Sequence, residues 1–410
     1  MSGRAILALA AGVSFAVAAL VPGLDPATAN VSTGHFSVEQ IIKAEHPVLA
    51  VARTYLKYGK PLPLELQEGV REVTALTKRA KGSVTANSNS HPGGNSWDYQ
   101  VSVSIGSPVQ EIGVIFDTGS SDFWFFGNDS TGSNCKAHHC YRPEKSKTAK
   151  KLDGYTFNVT YGDQTHCSGP VYTDNVTIGG FTVKEQAVGL QNWLDDMETL
   201  NLDGIVGLSF GNGNSIEPKQ QKTWFENMKP SLDAPLFTAD LQPGGKGVYN
   251  FGYVNKSMYT GNLIYADVDS SRGYWMITPS GYSIGDGKFN STKWNAVVDT
   301  GTSLNLVQRH LFDAWISMVS GSKVYFGISL VACDAKLPPF VIGIGDATLT
   351  IPPKYLNLGD VLKVDNYCLS GIQPDDTFDF SILGVVTLNS AFVVFDDTDH
   401  APKVGFATKH

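Results

Sequence analysis

An internal repeat is the feature of this sequence that most constrains its fold. The phrase VIFDTGSSDFW spans residues 114–124 and VVDTGTSLNL spans residues 297–306, so an apolar run delivers an acid into an Asp-Thr-Gly turn twice. Each copy is followed, after a similar interval, by a second related phrase, DGIVGL at 203–208 and SILGVV at 381–386. The sequence therefore predicts two similar halves that each present one acid, Asp117 and Asp299.

The pattern of apolar residues predicts that both halves consist mainly of strands. Short Val/Ile/Thr/Tyr/Phe runs are separated by turn residues, and the 410-residue chain contains 42 glycines and 20 prolines. YQVSVSI alternates with the period of a half-buried strand, whereas GVIF and AVV suit strands buried on both faces. The helix candidates are QRHLFDAWISMVS at 308–320 and KTWFENM at 222–228. We expect an all-β protein with few short helices and two cores.

Residues 1–29 have the pattern of a signal peptide. Arg4 precedes an apolar run from Ala5 to Val21, and a small-x-small triplet ends at Ala29. A membrane anchor is the alternative, but the run is short of the roughly 20 apolar residues of a span. Five glycosylation sequons lie after residue 81 and fit a secreted, extracellular glycoprotein without an anchor, with an acidic vacuole as the alternative destination; they are at Asn128, Asn158, Asn175, Asn255 and Asn290.

Residues 30–81 differ in charge from the rest of the chain. They carry eight Lys/Arg and five Glu, a net charge of +3, whereas residues 82–410 carry −11. The phrase FSVEQIIKAEHPVLAVARTYLKYGK begins with a Ser37-x-x-Gln40 capping pattern and has apolar residues at helical spacing, broken at Pro47. These features predict that residues 30–81 form a basic, helical segment that lies against the acidic remainder of the chain.

A processing linker follows this basic segment. The dibasic pair Lys78-Arg79 precedes a Gly/Ser/Asn-rich stretch, KGSVTANSNSHPGGNS. We therefore interpret residues 30–81 as a removable propeptide, 82–262 as an N-terminal lobe with Asp117, and 263–410 as a C-terminal lobe with Asp299. A helical arm that stays attached is the alternative.

The five cysteines fit an oxidising compartment, although their number is odd. Cys135 and Cys140 can close a small loop, and Cys333 can reach Cys368, which leaves Cys167 alone. The phrase CKAHHC also contains the residue types of a zinc site. Metal sites usually separate their ligand pairs more widely, so a disulfide is favoured here and no metal or cofactor is expected.

Two buried carboxylates are costly apart but useful together. Side by side they cannot both ionise, so one proton is shared and the pair acts as acid and base on one water. Ser120 and Thr302, three residues after each acid, can each hydrogen-bond an outer carboxylate oxygen. The intervening residues let the backbone turn and bring N–H groups to the acids; they are Thr118, Gly119, Thr300 and Gly301.

FDTGSSDFW, VTYGDQT, DGIVGL, VDTGTS and SILG, in this order, resemble the pepsin-like aspartic proteases, most closely the secreted fungal enzymes of penicillopepsin and aspergillopepsin type. That family is itself the standard example of a proton-sharing pair. The resemblance covers residues 97–407. It implies a bilobal fold of two pseudo-twofold-related β-barrel-like lobes around a cleft. It also implies an endopeptidase that cleaves protein or peptide substrates at acidic pH, preferring large apolar side chains.

The resemblance also implies roles for individual residues. Asp117 and Asp299 correspond to the catalytic dyad, with Asp299 the base and Asp117 the acid. Tyr161 corresponds to the flap tyrosine, with Gly162 and Asp163 at the flap tip, and Trp124 to its hydrogen-bonding partner. Asp163 suits a lysine before the scissile bond, although an exposed turn acid is the alternative. The glycines under the family's catalytic loops correspond to Gly207 and Gly384. The family's two disulfides correspond to Cys135–Cys140 and Cys333–Cys368.

The basic propeptide is expected to inhibit its own enzyme as an intramolecular partner, and Lys57 is the candidate for insertion between the two acids. Val385 departs from the family, most of whose members have Asp there, which removes a like charge near the dyad. The net charge of −8 argues against nucleic acid. We expect a monomeric zymogen; the alternatives are a silent peptide-binding homologue and a two-carboxylate glycosidase.

Overall fold

The computed structural model describes residues 34–43, 46–80, 98–127, 135, 138–160, 166–191, 202–243, 247–362 and 364–410. The predicted signal peptide and processing linker lie outside these ranges. Within the described residues none of the helices is long and apolar enough to cross a bilayer. These helices are α1 (Pro47–Lys57), α2 (Leu64–Ala80), α3 (Trp224–Met228), α4 (Arg309–Ile316) and α5 (Val385–Ser390).

Strands dominate the described chain, which confirms the expected all-β class. Those before residue 245 are β1 (Phe36–Glu39), β2 (Ile41–Lys43), β3 (Asp98–Ile105), β4 (Gln110–Asp117), β5 (Phe123–Phe126), β6 (Lys150–Thr160), β7 (His166–Ile178), β8 (Phe181–Gln191), β9 (Gly204–Gly207), β10 (Ile216–Glu217) and β11 (Leu236–Asp240). The later ones are β12 (Val248–Phe251), β13 (Tyr259–Asp269), β14 (Met276–Ile277), β15 (Tyr282–Ile284), β16 (Ala296–Val298), β17 (Asn305–Gln308), β18 (Ser322–Tyr325), β19 (Ile328–Ala332), β20 (Phe340–Ile344), β21 (Ala347–Ile351), β22 (Tyr367–Leu369), β23 (Ile372–Asp375), β24 (Ser381–Leu383), β25 (Phe392–Asp396) and β26 (Lys403–Lys409).

Two large sheets carry the two copies of the repeat. In the described chain one has the order β10-β6-β7-β8-β5-β9-β4-β3-β2, and the other β1-β12-β11-β25-β26-β13-β14-β16-β24-β17-β23. β4 pairs in parallel with β9, so that Asp117 lies opposite Gly207. In the second copy β16 pairs in parallel with β24, and Val298, just before Asp299, lies opposite Leu383. The expected bilobal, pepsin-like architecture is confirmed, with equivalent strands delivering each acid.

The apolar runs of the repeat form the core beneath the acids. Val114, Ile115 and Phe116 of β4 are at most 2% exposed, and all three residues of β16 are fully buried. A strand that is buried on both faces has no solvent-facing positions for polar side chains, which explains the continuous apolar runs. Each acid therefore emerges from the interior at the end of a rigid strand.

The predicted helix beginning at Ser37 is wrong. Residues 36–39 form β1, antiparallel to β12, and residues 41–43 form β2, antiparallel to β3. The side chains of β1 alternate between buried and exposed, and the Phe36 ring stacks on Phe181 at 4.4 Å and on Phe251 at 4.9 Å. Tertiary pairing overrides the local capping pattern, since Ser37 Oγ donates to Asn250 Oδ1 at 2.7 Å instead of capping a helix.

The helices of the basic segment begin later than the pattern suggested. α1 starts at Pro47, where the missing N–H costs nothing, and His46 caps it by accepting from Val48 N at 3.3 Å. α2 packs against the turn between β18 and β19: a Cβ on Gly69 would lie 2.7 Å from Phe326 Cβ. α1 ends at Lys57.

Both predicted disulfides are present, Cys135–Cys140 and Cys333–Cys368. The zinc alternative for CKAHHC is wrong, because its two sulfur atoms are bonded to each other and cannot bind a metal as thiolates. Cys167 belongs to β7, and its side chain lies outside the described residues.

The sequons differ in their surroundings. Asn158 and Asn290 are exposed, whereas Asn175 and Asn255 are half-buried. Asn128 lies outside the described residues. Glycosylation at these positions stays a prediction.

Candidate active site

The fold brings the two predicted acids together. Asp117 ends β4 and Asp299 follows β16, and their side chains are 1% and 0% exposed. A Cβ on Gly119 would lie 2.5 Å from Asp299 Cγ, and one on Gly301 would clash with the Asp117 carboxylate. Each carboxylate therefore lies against the glycine of the opposite turn, where no larger residue fits.

The residues after each acid hold its carboxylate in the same way. Gly119 N donates to Asp117 Oδ1 at 2.9 Å, and Ser120 Oγ donates to Oδ2 at 2.5 Å. In the second turn Gly301 N donates to Asp299 Oδ1 at 2.8 Å, while Thr302 Oγ1 donates to Oδ2 at 2.5 Å. The hydroxyls lie where the sequence placed them. Two equivalent donor pairs thus orient the acids towards each other.

Two threonines join the turns beneath the acids. Thr118 Oγ1 donates to Val298 O at 2.8 Å and accepts from Thr300 N at 2.9 Å. Thr300 Oγ1 makes the equivalent pair of hydrogen bonds, donating to Phe116 O at 2.7 Å and accepting from Thr118 N at 3.1 Å. Sequence reasoning assigned these residues only to the turns. The identical Thr after each Asp was the signal of this cross-bonding.

Burial and charge separate the ionisation of the two acids. Burial raises the pKa of Asp117, and the neighbouring Asp299 carboxylate raises it further, against the attraction of Lys57. For Asp299 burial also opposes ionisation, but Lys57 and hydrogen bonds from Asp117 and Thr302 outweigh it and lower the pKa. Asp117 therefore holds its proton to a higher pH than Asp299 does.

The side chain between the acids comes from the basic segment. Lys57 Nζ lies 3.0 Å from Asp117 Oδ1 and 2.6 Å from Asp299 Oδ2, and the side chain is 9% exposed. Tyr58 Oη also donates to Asp299 Oδ2, at 2.8 Å. Sequence reasoning singled out Lys57 but missed Tyr58. Burial raises the pKa of Tyr58, so its hydroxyl stays neutral and can only donate to the carboxylate.

The two glycines of the second phrases lie directly under the catalytic turns. A Cβ on Gly207 would lie 2.6 Å from the backbone N of Asp122, and one on Gly384 would clash with Thr302 O. Val385 follows as the first residue of α5, with its N–H donating to Thr302 O at 2.8 Å. This site thus carries a buried apolar side chain where an acid was expected from the resemblance.

The predicted flap residues are only partly described. Trp124 lies in β5, 6% exposed, with its ring edge-on to Phe126 at a centroid distance of 5.4 Å. Tyr161, Gly162 and Asp163 lie outside the described residues. Their roles stay predictions.

Comparisons with known proteins identify the family of this site. The family model for eukaryotic aspartyl proteases matches residues 98–409. Endothiapepsin of Cryphonectria parasitica is 39% identical, over 93% of this chain and 92% of that protein. Podosporapepsin of Podospora anserina is 38% identical over 90% and 88%, and aspergillopepsin-1 of Aspergillus pseudoglaucus is 36% identical over 98% of both chains. The chain therefore belongs to the eukaryotic aspartyl proteases, as a pepsin-like aspartic endopeptidase.

Proposed function

We propose that the chain is the zymogen of a secreted, monomeric acid endopeptidase, with Asp117 and Asp299 as its catalytic dyad and residues 30–81 as its inhibitory propeptide. One observation carries the proposal: Lys57 Nζ bridges both carboxylates, at 3.0 and 2.6 Å. Residues 82–262 and 263–410 are the two lobes, and Tyr161 with Trp124 serves the flap.

The released enzyme hydrolyses an internal peptide bond by acid and base catalysis. A water held between the carboxylates attacks the carbonyl carbon while Asp299 takes its proton. Asp117 gives its proton to the carbonyl oxygen, which produces a tetrahedral diol. Proton transfer to the amide nitrogen then breaks the C–N bond. The donors within the two turns hold the carboxylates in place for these steps, namely Gly119 N and Ser120 Oγ for Asp117 and Gly301 N and Thr302 Oγ1 for Asp299.

The propeptide blocks this chemistry by occupying the position of the water. The Lys57 ammonium and the Tyr58 hydroxyl use the carboxylate oxygens that the water needs. A buried ammonium between two acids is stable only while a carboxylate remains ionised. Because the pKa of Asp117 is raised, its attraction for Lys57 weakens first as the pH falls, and the pair with Asp299 is lost only below the usual range of an Asp.

The propeptide supplied as a separate molecule tests this proposal. A synthetic peptide of residues 30–81 is expected to inhibit the mature enzyme near pH 6 and to release it near pH 3. A matched peptide with Lys57→Met, which keeps the length of the side chain but not its charge, should inhibit at least tenfold more weakly. Equal inhibition by both peptides, or none by either, would overturn the role of Lys57.

The dyad is tested independently of the propeptide. Digestion of denatured haemoglobin by the mature enzyme should be blocked by pepstatin, and Asp117→Asn should reduce kcat by roughly a hundredfold to ten-thousandfold. The exposed Asp286→Asn is the matched control and should cleave normally. Activity that survives Asp117→Asn would contradict the assignment of the dyad.

A further inference from the structure

Strand β21 is an edge strand whose outer side faces a cleft. It is the last strand of the three-stranded sheet β15-β20-β21, and no strand of the described chain pairs with its other side. The cleft beside it has a volume of about 480 Å³. Thr348, Leu349 and Thr350 of β21 line it, together with residues of β13 and β26 and with Lys354. None of the lining residues belongs to the catalytic turns, so this cleft is a separate site.

The register of β21 shows which of its backbone groups point towards the cleft. A two-residue turn joins β20 to β21, so Ile344 and Ala347 form the first hydrogen-bonded pair of the hairpin. In an antiparallel pair of strands, hydrogen-bonded positions alternate with non-bonded ones. Thr348 and Thr350 therefore occupy non-bonded positions, and their N–H and C=O groups point away from β20.

The neighbouring backbone agrees with this register. Gly343 lies opposite Thr348 and bonds away from β21, because its N–H donates to Gly281 O and its C=O accepts from Ser280 N, both at 2.9 Å. No backbone hydrogen bond of the described chain uses the outward groups of Thr348 and Thr350. The cleft thus offers two donors and two acceptors in the pattern of a strand edge.

The sequence of β21 leaves this edge unprotected. Edge strands of natural proteins are usually guarded by lysine, proline or a bulge. Ala347–Ile351 reads ATLTI and contains none of these guards. Ile264 of β13 and Phe406 of β26 line other parts of the cleft. A cleft of this size admits one extended strand, whereas a second copy of the chain would have to bring a whole sheet to the edge.

Two lysines determine the charge of the cleft. The side chain of Lys409 is 9% exposed and pairs with Asp240 at 3.1 Å, so its charge is already compensated. Lys354 is exposed, with its ammonium 4.7 Å from the centre of its neighbour's ring, that of Tyr355. It has no ion pair with any described residue. A strand that enters the cleft with a carboxylate beside Lys354 would supply one.

We propose that this cleft is an exosite, a binding site separate from the catalytic cleft, for an extended acidic segment of a protein substrate. The segment adds to β21 as a further strand, bonded to the outward groups of Thr348 and Thr350, and an acidic side chain pairs with Lys354. The inference rests on the proposed protease function and deepens it. Unfolded proteins, which are long enough to reach both sites, become better substrates than short peptides.

Binding to the exosite is measured while the catalytic cleft is filled. The mature enzyme is saturated with pepstatin, and fluorescence anisotropy follows two labelled ten-residue peptides of alternating serine and valine. The peptides differ only in one central residue, which is glutamate or lysine. The glutamate peptide is expected to bind at least threefold more tightly, and Lys354→Met should remove this difference.

Two substitutions at one position test the strand edge. Thr350→Pro removes an N–H that points to the cleft and none that bonds to β20, so both peptides should bind at least fivefold more weakly. Thr350→Ala keeps the N–H and is the matched control, with affinities within twofold of the wild type. The side chain of Thr350 is absent from both variants, so any difference between them belongs to the backbone.

Cleavage tests whether the exosite serves catalysis. Denatured haemoglobin is compared with a six-residue peptide substrate that is too short to reach both sites. Thr350→Pro is expected to raise KM for haemoglobin at least threefold and to leave kcat/KM for the short peptide unchanged. Thr350→Ala should match the wild type on both substrates.

Each outcome decides between the proposals. Peptides that do not bind the pepstatin-filled enzyme, or that bind Thr350→Pro as tightly as the wild type, would overturn the exosite. So would an equal loss of activity on both substrates in Thr350→Pro. Cleavage of neither substrate by the wild type, or cleavage that pepstatin does not block, would instead overturn the protease function. If Thr350→Pro does not fold, Lys354→Met and competition between the glutamate peptide and haemoglobin in the wild type decide the question.

Discussion

Asp122, five residues after Asp117, is a buried carboxyl group outside the proposed dyad. It is 9% exposed, and it accepts from Asn214 Nδ2 at 2.8 Å and from Ser215 N at 2.9 Å. Burial raises its pKa from 3.8 to about 6, because these two donors only partly replace water. The folded state therefore binds a proton at Asp122 more tightly than the unfolded chain does.

This residue predicts a loss of stability towards neutral pH. A raised pKa in the folded state gives stability that is complete below the unfolded pKa and is lost as the pH rises through the folded one. For Asp122 the interval from 3.8 to about 6 corresponds to roughly 3 kcal/mol at most. Asp122→Asn should therefore flatten the decline in the free energy of unfolding between pH 4 and pH 7.

Urea unfolding measures this difference. The mature protein carrying Asp117→Asn serves as the parent, so that self-digestion does not distort the curves. Asp122→Asn in the same background should show the smaller change with pH. Parallel curves for the two proteins would contradict the assignment.

The paired threonines predict a coupled effect on stability and catalysis. Thr300→Val removes the hydroxyl that bonds Phe116 O and Thr118 N, leaving two buried groups unpaired. The expected loss is about 2–4 kcal/mol in the free energy of unfolding, together with a lower kcat because the turns shift. Thr300→Ser keeps the hydroxyl and should restore most of both. If Val and Ser behave alike, the hydrogen bonds are not the cause.

At the scale of elements, α2 packs the basic segment against the turn after β18. A Cβ atom added to Gly69 would lie 2.7 Å from Phe326 Cβ and 3.1 Å from Val48 Cγ1. The helix can therefore pack here only because residue 69 has no side chain. The contact joins α2, α1 and the turn after β18. Any larger residue must push the helix away from both.

Gly69→Val therefore predicts a weaker inhibitor. Overpacking typically costs 1–3 kcal/mol, so the inhibition constant of the 30–81 peptide should rise roughly tenfold. Glu68→Val, at an exposed neighbouring position on α2, adds the same side chain without the clash. Inhibition constants measured near pH 6 compare the two. A change of similar size in both variants would show that helix propensity, not packing, is responsible.

The same scale shows what could be predicted from sequence and what could not. The repeat predicted the strands, the facing acids and the hydroxyls that hold them, because each depends on short-range spacing repeated twice. The insertion of Lys57 between the acids was predicted because its segment is basic and the rest of the chain is acidic. The helix at Ser37 was wrong because its partner, Asn250, is distant in the chain. The contacts of the Tyr58 ring with Tyr274, Phe378 and Phe380 were missed for the same reason, since these residues are distant from Tyr58 in the chain.

For the whole molecule, the basic segment of residues 30–81 contributes a strand to each of the two large sheets. β1 extends the eleven-stranded sheet of the described chain through β12, and β2 extends the nine-stranded one through β3. Phe36 stacks between Phe181 of the nine-stranded sheet and Phe251 of the eleven-stranded one. We therefore expect this segment to support folding as well as the proposed inhibition.

These two contributions can be separated in refolding. Residues 82–410 unfolded alone should regain less activity than in the presence of the 30–81 peptide. A Phe36→Ala peptide should help less, since the loss of a buried Phe costs about 3–5 kcal/mol, while a Lys57→Met peptide should still help. Activity is measured after the peptide is removed at acidic pH. Equal yields with all peptides and without them would contradict a role in folding.

The position of β1 and β2 has a consequence for maturation. A cut in the linker after Lys78-Arg79 severs the covalent connection, but the excised piece remains hydrogen-bonded to β12 and β3 on either side. Cleavage and the appearance of activity are therefore separate events, and a nicked two-chain complex should accumulate between them. Its lifetime is set by the first-order dissociation of the excised piece, so neither dilution nor more protease should change the lag between cleavage and activity.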